Sequence, residues 1–144
     1  METVLLRCQS CGTVNRVAGG KLSLKPKCGR CKTVIDYPNR PVDVTASSFH
    51  HEVLSCPGAV LVDFWSPSCG HCQRLNPLLD QIAAEKAGML KVVKINTQTE
   101  QFLAGQFGIR GVPTLILYKG GKKLRELPGA LPKEQLDAWI GGSL

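Results

Sequence analysis

Apolar and polar positions change rhythm several times along this chain of 144 residues. Ala59-Val60-Leu61-Val62 is an unbroken apolar run and reads as a buried strand. After Cys72 the rhythm turns helical. Leu75, Leu78, Leu79 and Ile82 share one face, and the pattern runs to about Lys86. Pro77 lies inside it, where a missing backbone donor predicts a kink. Leu90–Asn96 reads as the next strand. Thr99-Glu100 opens a short helix ending near Phe107-Gly108, and Leu115–Tyr118 is a further strand. Gly120-Gly121 suits a two-residue hairpin turn into Lys122–Leu127. Pro132 starts the last helix, with Leu136, Trp139 and Ile140 inward. Upstream, Val42–Thr45 is expected as a strand. Ser47 or Ser48 is expected to cap a short helix that turns Phe49, Val53 and Leu54 inward and leaves His50 and His51 on its solvated side.

The first forty residues follow a different logic. Cys8-Gln9-Ser10-Cys11 and Cys28-Gly29-Arg30-Cys31 are separated by sixteen residues. Two such pairs at this spacing predict one tetrahedral four-thiolate zinc site formed by Cys8, Cys11, Cys28 and Cys31. Gly12 and Gly29 are placed to ease the two turns. Short strands are expected at Val4–Arg7, Thr13–Val17 and Thr33–Asp36. So short a segment cannot build a self-sufficient core, and one structural zinc ion would supply what packing cannot. Two disulfides or four idle thiols are the bland alternative. The organisation that follows is a zinc-ribbon-like module at 1–36, a linker at 37–41 stiffened by Pro38 and Pro41, and a second domain at 42–144.

Composition sharpens this picture. Apolar residues make up 43% of the chain, enough to bury a core. No run of eighteen apolar residues exists, so no membrane span is expected. The first residues carry neither a basic head nor a long apolar stretch, which predicts a cytoplasmic protein. Seven cysteines in that setting point to metal or redox chemistry. The net charge of +7 is uneven: residues 1–40 carry eight Lys or Arg against two acids, and the remainder ten against nine. A basic module invites a nucleic-acid reading. Tyr37 is its only aromatic, so a base-stacking mode lacks its platforms and nucleic acid is not the expected partner. Cys56, the odd cysteine, is expected as a partly buried free thiol, with a regulatory disulfide as the minor alternative.

The chemistry concentrates between Asp63 and Pro77, where Cys69 and Cys72 sit three apart at a strand-to-helix junction. On a first helical turn the two sulfurs can meet. The unpaired amides of the helix start favour a thiolate at Cys69. A thiolate beside a second thiol is equipped for thiol–disulfide exchange. Asp63 lies in an otherwise apolar run. Burial there raises its pKa, which suits a proton acceptor.

Asp63-Phe64-Trp65, then Cys69-Gly70-His71-Cys72, then Pro77 resembles the thioredoxin family. Lys91–Asn96, Phe107-Gly108-Ile109-Arg110-Gly111-Val112-Pro113-Thr114, Gly129-Ala130-Leu131 and Trp139 continue the resemblance in order over about residues 43–144. It implies an α/β fold, a central mixed sheet flanked by helices, and a dithiol oxidoreductase. It places Asp63 beneath Cys72, makes Lys94 its basic partner, and packs Trp65 beside the site. It makes Pro113 cis and faces it to the cysteines, leaving the Val112 backbone to pair with an extended substrate. The implied activity is protein-disulfide reduction in the cytoplasm. The implied partners are disulfide-containing proteins and a flavin-dependent thioredoxin reductase, and the protein is expected to be a monomer. A zinc module ahead of such a domain resembles the family's thioredoxin 2 branch in bacteria.

Two positions depart from the family's Trp-Cys-Gly-Pro-Cys pattern. Ser68 replaces the aromatic, and His71 stands where proline is usual. Histidine there resembles the disulfide isomerases, whose potentials lie about 90 mV above those of thioredoxins, or roughly 4 kcal/mol. Gly70 and His71 are therefore tuning positions, and an oxidase or isomerase is the alternative activity. A zinc-module redox sensor that binds nucleic acid or protein is the second alternative. A third possibility adds to the main activity: zinc-bound thiolates can themselves oxidise, releasing the metal and loosening the module.

Overall fold

The computed structural model describes residues 3–8, 10–18, 25–35 and 37–142. Two sheets organise them. β1 (Thr3–Arg7) and β2 (Val14–Ala18) form an antiparallel hairpin. An isolated bridge from Lys27 to Val34 closes the segment around the second cysteine pair. The expected strand at Thr33–Asp36 reduces to that bridge, and Asp36 lies outside the described residues.

The larger sheet has the order β3-β5-β4-β6-β7. Its strands are β3 (Val42–Asp43), β4 (Ala59–Trp65), β5 (Leu90–Asn96), β6 (Thr114–Lys119) and β7 (Lys122–Pro128). β3, β5 and β4 run parallel, while β6 and β7 are antiparallel, which gives the mixed sheet expected from the resemblance. The four helices are α1 (Ala46–Phe49), α2 (Gly70–Glu85), α3 (Gln101–Gln106) and α4 (Lys133–Gly141).

β4 is central, buried on both faces, and its alternation decides what each face sees. Val60, Val62 and Phe64 pack with Phe49, Val53 and Leu103 of the α1 and α3 side. Ala59 and Leu61 pack with Leu75, Leu79 and Ile82 of α2 and with Leu136 and Ile140 of α4. By the same parity Asp63 belongs to the α2 side. A carboxylate thus sits on the inner face of the sheet, under the start of α2.

Local expectations need three corrections, and one feature is new. α1 starts at Ala46, not after a capping Ser47. Thr45 is its cap, and the Ser48 hydroxyl accepts the Thr45 N–H at 3.0 Å. The helix then widens into a π-helical turn, His50–Leu54. The extra residue per turn rotates the last side chain outward, so Leu54 is exposed whereas Phe49 and Val53 are buried. Trp139 is only half-buried, packed against the core edge with the Arg125 guanidinium 5.2 Å from its ring. In the four-cysteine segment the left-handed residue follows the second cysteine of each pair. These are Gly12 at φ +79° and Lys32 at φ +65°, while Gly29 lies within the second turn as expected.

The turn at Gly120-Gly121 is as expected, and it needs its glycines. Both have positive φ, and a Cβ on Gly121 would lie 2.4 Å from the Leu54 carbonyl oxygen. Arg7 of the hairpin reaches the residue that ends the π-helical turn. Its guanidinium donates to the carbonyls of Gly12 and Ser55, each at 2.9 Å.

Candidate active site and metal centre

β4 delivers the chain to the site and α2 starts it. Cys69 is the cap of α2, and its Sγ accepts the Cys72 backbone N–H at 3.1 Å. The Cys69 thiol also donates to the Val112 carbonyl at 3.5 Å. Val112 precedes Pro113 through a cis peptide bond, so the loop expected to face the cysteines does face them. Cys69 is half-exposed and Cys72 fully buried. Burial, followed by the contact with Cys69, pushes the Cys72 thiol up to about 12, and the neighbouring Asp63 charge pushes the same way. One sulfur is open to a partner, and the other is held protonated behind it.

Asp63 is fully buried, and neither carboxyl oxygen has a hydrogen-bond partner. Loss of solvation raises it from 3.8 to about 7, against a smaller downward pull from Lys94. Lys94 is its register partner in β5. The ammonium does not sit on the carboxylate. Lys94 Nζ donates to Asn76 Oδ1 at 2.6 Å and lies 4.7 Å from the Trp65 ring centroid. Trp65 packs beside the site, as expected, with its ring nitrogen buried and unpartnered. Gly70 and His71 form the exposed first turn of α2.

Sequence reasoning missed two groups here. Asn76 is four residues after Cys72 and so shares its helix face, a signal that was available. Gln98 was less accessible. It follows β5 and donates through Nε2 to Ser66 Oγ at 3.0 Å and Ser68 Oγ at 3.1 Å, across a gap of thirty residues. Ser68, standing where the family has an aromatic, is therefore tied into a polar network with Ser66.

The second constellation is Cys8, Cys11, Cys28 and Cys31, whose four sulfurs lie within 4.8 Å of one another. Cys8 and Cys31 approach to 3.5 Å, and Cys11 and Cys28 to 3.6 Å. Tetrahedral zinc with sulfur at about 2.3 Å needs edges of about 3.8 Å, so the donor set fits one zinc ion. Both pairs share one knuckle. The amide after the second cysteine donates to the carbonyl of the first, Gly12 to Cys8 at 2.9 Å and Lys32 to Cys28 at 3.0 Å. Amide donors aimed at Cys28, with the Asn15 side chain, draw its thiol down to about 6, toward the thiolate a metal requires. Cys56 is a half-buried free thiol, as expected. Among the described residues no helix is long and apolar enough to cross a membrane.

Comparison with known proteins falls on the same two parts. The thioredoxin family model matches residues 40–141, and the model for the thioredoxin 2 N-terminal segment, a zinc ribbon, matches residues 7–33. Thioredoxin 1 of Nostoc sp. is 48% identical over 93 residues, covering 65% of this chain and 87% of that protein. Thioredoxin of Porphyra purpurea is 44% identical over 97 residues, 67% of this chain and 91% of its own length. Thioredoxin of Pseudomonas aeruginosa is 42% identical over 103 residues, 72% and 95% of the two chains.

The buried carboxyl makes a stability prediction with a definite sign. Its folded pKa of about 7 exceeds the ordinary 3.8. The native state therefore holds a proton that the unfolded state releases, and stability is lost as pH rises from about 4 to 7. Three pH units correspond to about 4 kcal/mol. Urea unfolding of Asp63→Asn is expected to show a variant more stable than the parent by up to that amount at pH 8, with the difference shrinking toward zero at pH 4.

Proposed function

The chain belongs to the thioredoxin family, and from that premise we propose that it is a protein-disulfide reductase. It carries the thioredoxin 2 architecture, a four-cysteine ribbon ahead of a thioredoxin domain. The reading rests on one observation above all. An accessible sulfur, Cys69, stands in front of a buried thiol, Cys72, beside a buried carboxyl with no other partner.

The cycle has two displacements. The Cys69 thiolate attacks one sulfur of a substrate disulfide. That S–S bond breaks, a Cys69–substrate disulfide forms, and the departing thiolate takes a proton from water. Cys72 then gives its proton to Asp63, and its sulfur attacks Cys69. The mixed disulfide breaks, the second substrate sulfur leaves as a thiolate that takes a proton from water, Asp63 returns its proton to solvent, and the Cys69–Cys72 disulfide remains. Two electrons have passed from the protein to the substrate. A flavin-dependent thioredoxin reductase drawing on NADPH returns them. Lys94 draws the Asp63 carboxyl toward its charged form from a distance, without an ion pair. The Val112 backbone beside Pro113 offers an extended substrate segment its main-chain contacts. Trp65 walls the site, and Gly70 leaves the mouth open. His71, exposed two residues after Cys69, tunes the potential by presenting a donor to the thiolate. A reducing cytoplasm suits this cycle, because it keeps the dithiol charged.

Cys8, Cys11, Cys28 and Cys31 hold one structural zinc in this reading. The metal supplies the fold energy of the ribbon and takes no part in the exchange. The apolar core around it is small: Leu6, Val17 and Ile35 beside Cys8 and Cys28.

NADPH-driven reduction of insulin disulfides in the presence of a thioredoxin reductase is expected to proceed with the parent protein and to vanish with Cys69→Ser. An inactive parent whose dithiol still exchanges with glutathione would favour an oxidase or isomerase. Native mass spectrometry is expected to find one zinc per chain. Chelation should collapse the amide signals of β1 and β2 toward random-coil values and leave those of β4 and β6 in place. A ribbon that stays folded without metal would refute the structural role.

A further inference from the structure

We propose that Asn76 is a positioning residue: by holding the Lys94 ammonium it withholds that cation from Asp63 and leaves the carboxyl unpaired under Cys72. The inference rests on the reductase reading, in which Asp63 receives the Cys72 proton.

The geometry poses the question. Asp63 and Lys94 are Cα partners in adjacent parallel strands, about 4.8 Å apart across the sheet. A lysine stem easily spans that gap. A buried carboxylate beside a cation would be expected to form an ion pair, since each compensates the other's lost solvation. Yet no ion pair joins them among the described residues, and both carboxyl oxygens stay without a partner. Lys94 Nζ is engaged elsewhere, 2.6 Å from Asn76 Oδ1 and over the face of Trp65. The neutral amide takes a charge-assisted hydrogen bond without adding a competing negative charge.

The surroundings leave Lys94 as the group that matters. From β5 it is the charge that acts on Asp63, and it already draws the carboxyl pKa downward from its present distance. From α2 the facing titratable group is Cys72, with Cys69 beyond it at the helix cap. β6 presents Leu115 in register with Asp63, and α4 meets this side of the sheet with Leu136 and Ile140. Contact between the ammonium and the carboxylate would strengthen the attraction as separation falls. The carboxyl would then be a weaker acceptor for the Cys72 proton. Asn76 stands on the face of α2 that carries Cys72, so the helix that holds the thiol also sets how far the cation stands from its base.

The test uses the full-length, zinc-loaded, reduced protein. The Asp63 carboxyl is followed by carbon-13 NMR across pH 4–10 in the parent, Asn76→Ala, Lys94→Met and the double variant. Alanine is the strongest helix former, so α2 should persist in Asn76→Ala. The midpoint is expected to fall by about one unit in Asn76→Ala, a tenfold loss of proton affinity. It should rise in Lys94→Met, and Asn76→Ala should add nothing in the Lys94→Met background. The pH profile of mixed-disulfide resolution should move in the same direction as the midpoint. An unchanged or raised midpoint in Asn76→Ala, or a shift that persists without Lys94, would overturn the proposal. The carboxyl titration needs no substrate, so it stands apart from the reductase cycle. A resolution rate indifferent to Asp63→Asn would sink that cycle and leave the Asn76 titration result intact.

Discussion

A carboxyl group buried without a hydrogen bond is the constraint on which this site depends. Asp63 is held there by the central strand of a five-stranded sheet, flanked by residues that are themselves fully buried. No hydrogen bond relieves the cost and Lys94 offsets only part of it, so the folded core bears the rest. The cost raises the pKa of the carboxyl to about 7, near neutral pH, which an exposed aspartate does not reach. The same burial acts on Cys72 above it, and both groups resist being charged together. A proton can then pass between them as the buried thiol becomes a nucleophile. Cys69, by contrast, caps the helix half-exposed, with an amide N–H on its sulfur.

The four-cysteine ribbon solves the opposite problem. Its core is too small to carry a fold, and its stabilising chemistry is concentrated on four sulfurs in two matched knuckles. Arg7 bridges the ribbon and the π-helical turn, with one bond into the first knuckle and one to the carbonyl of Ser55. The ribbon carries the basic excess of the chain, while the residues that would perform the exchange lie in a nearly neutral domain.

What could be read from the sequence follows from how local each cause is. Leu90–Asn96 and the long helix after Cys69 were legible because periodicity and length speak for themselves. Asp63 stood out as a charge in an apolar run, and the cysteines by their spacing. Leu54 misled because a π-helical turn adds a residue and rotates the face, which no alternation records. Lys32 gave no signal because no glycine marks it, although the second knuckle places its left-handed residue there. The Asn76–Lys94 and Gln98–Ser68 contacts join separate elements, and only the folded sheet brings them together.

The most direct test of the central claim separates the two displacements in time. Asp63→Asn would be mixed rapidly with a disulfide peptide near neutral pH, and attack by Cys69 and resolution by Cys72 would be resolved as successive phases. The first phase should match the parent, and the second should slow by about a hundredfold, as loss of a positioned base requires. A second phase as fast as the parent's would contradict the claim that Asp63 takes the Cys72 proton.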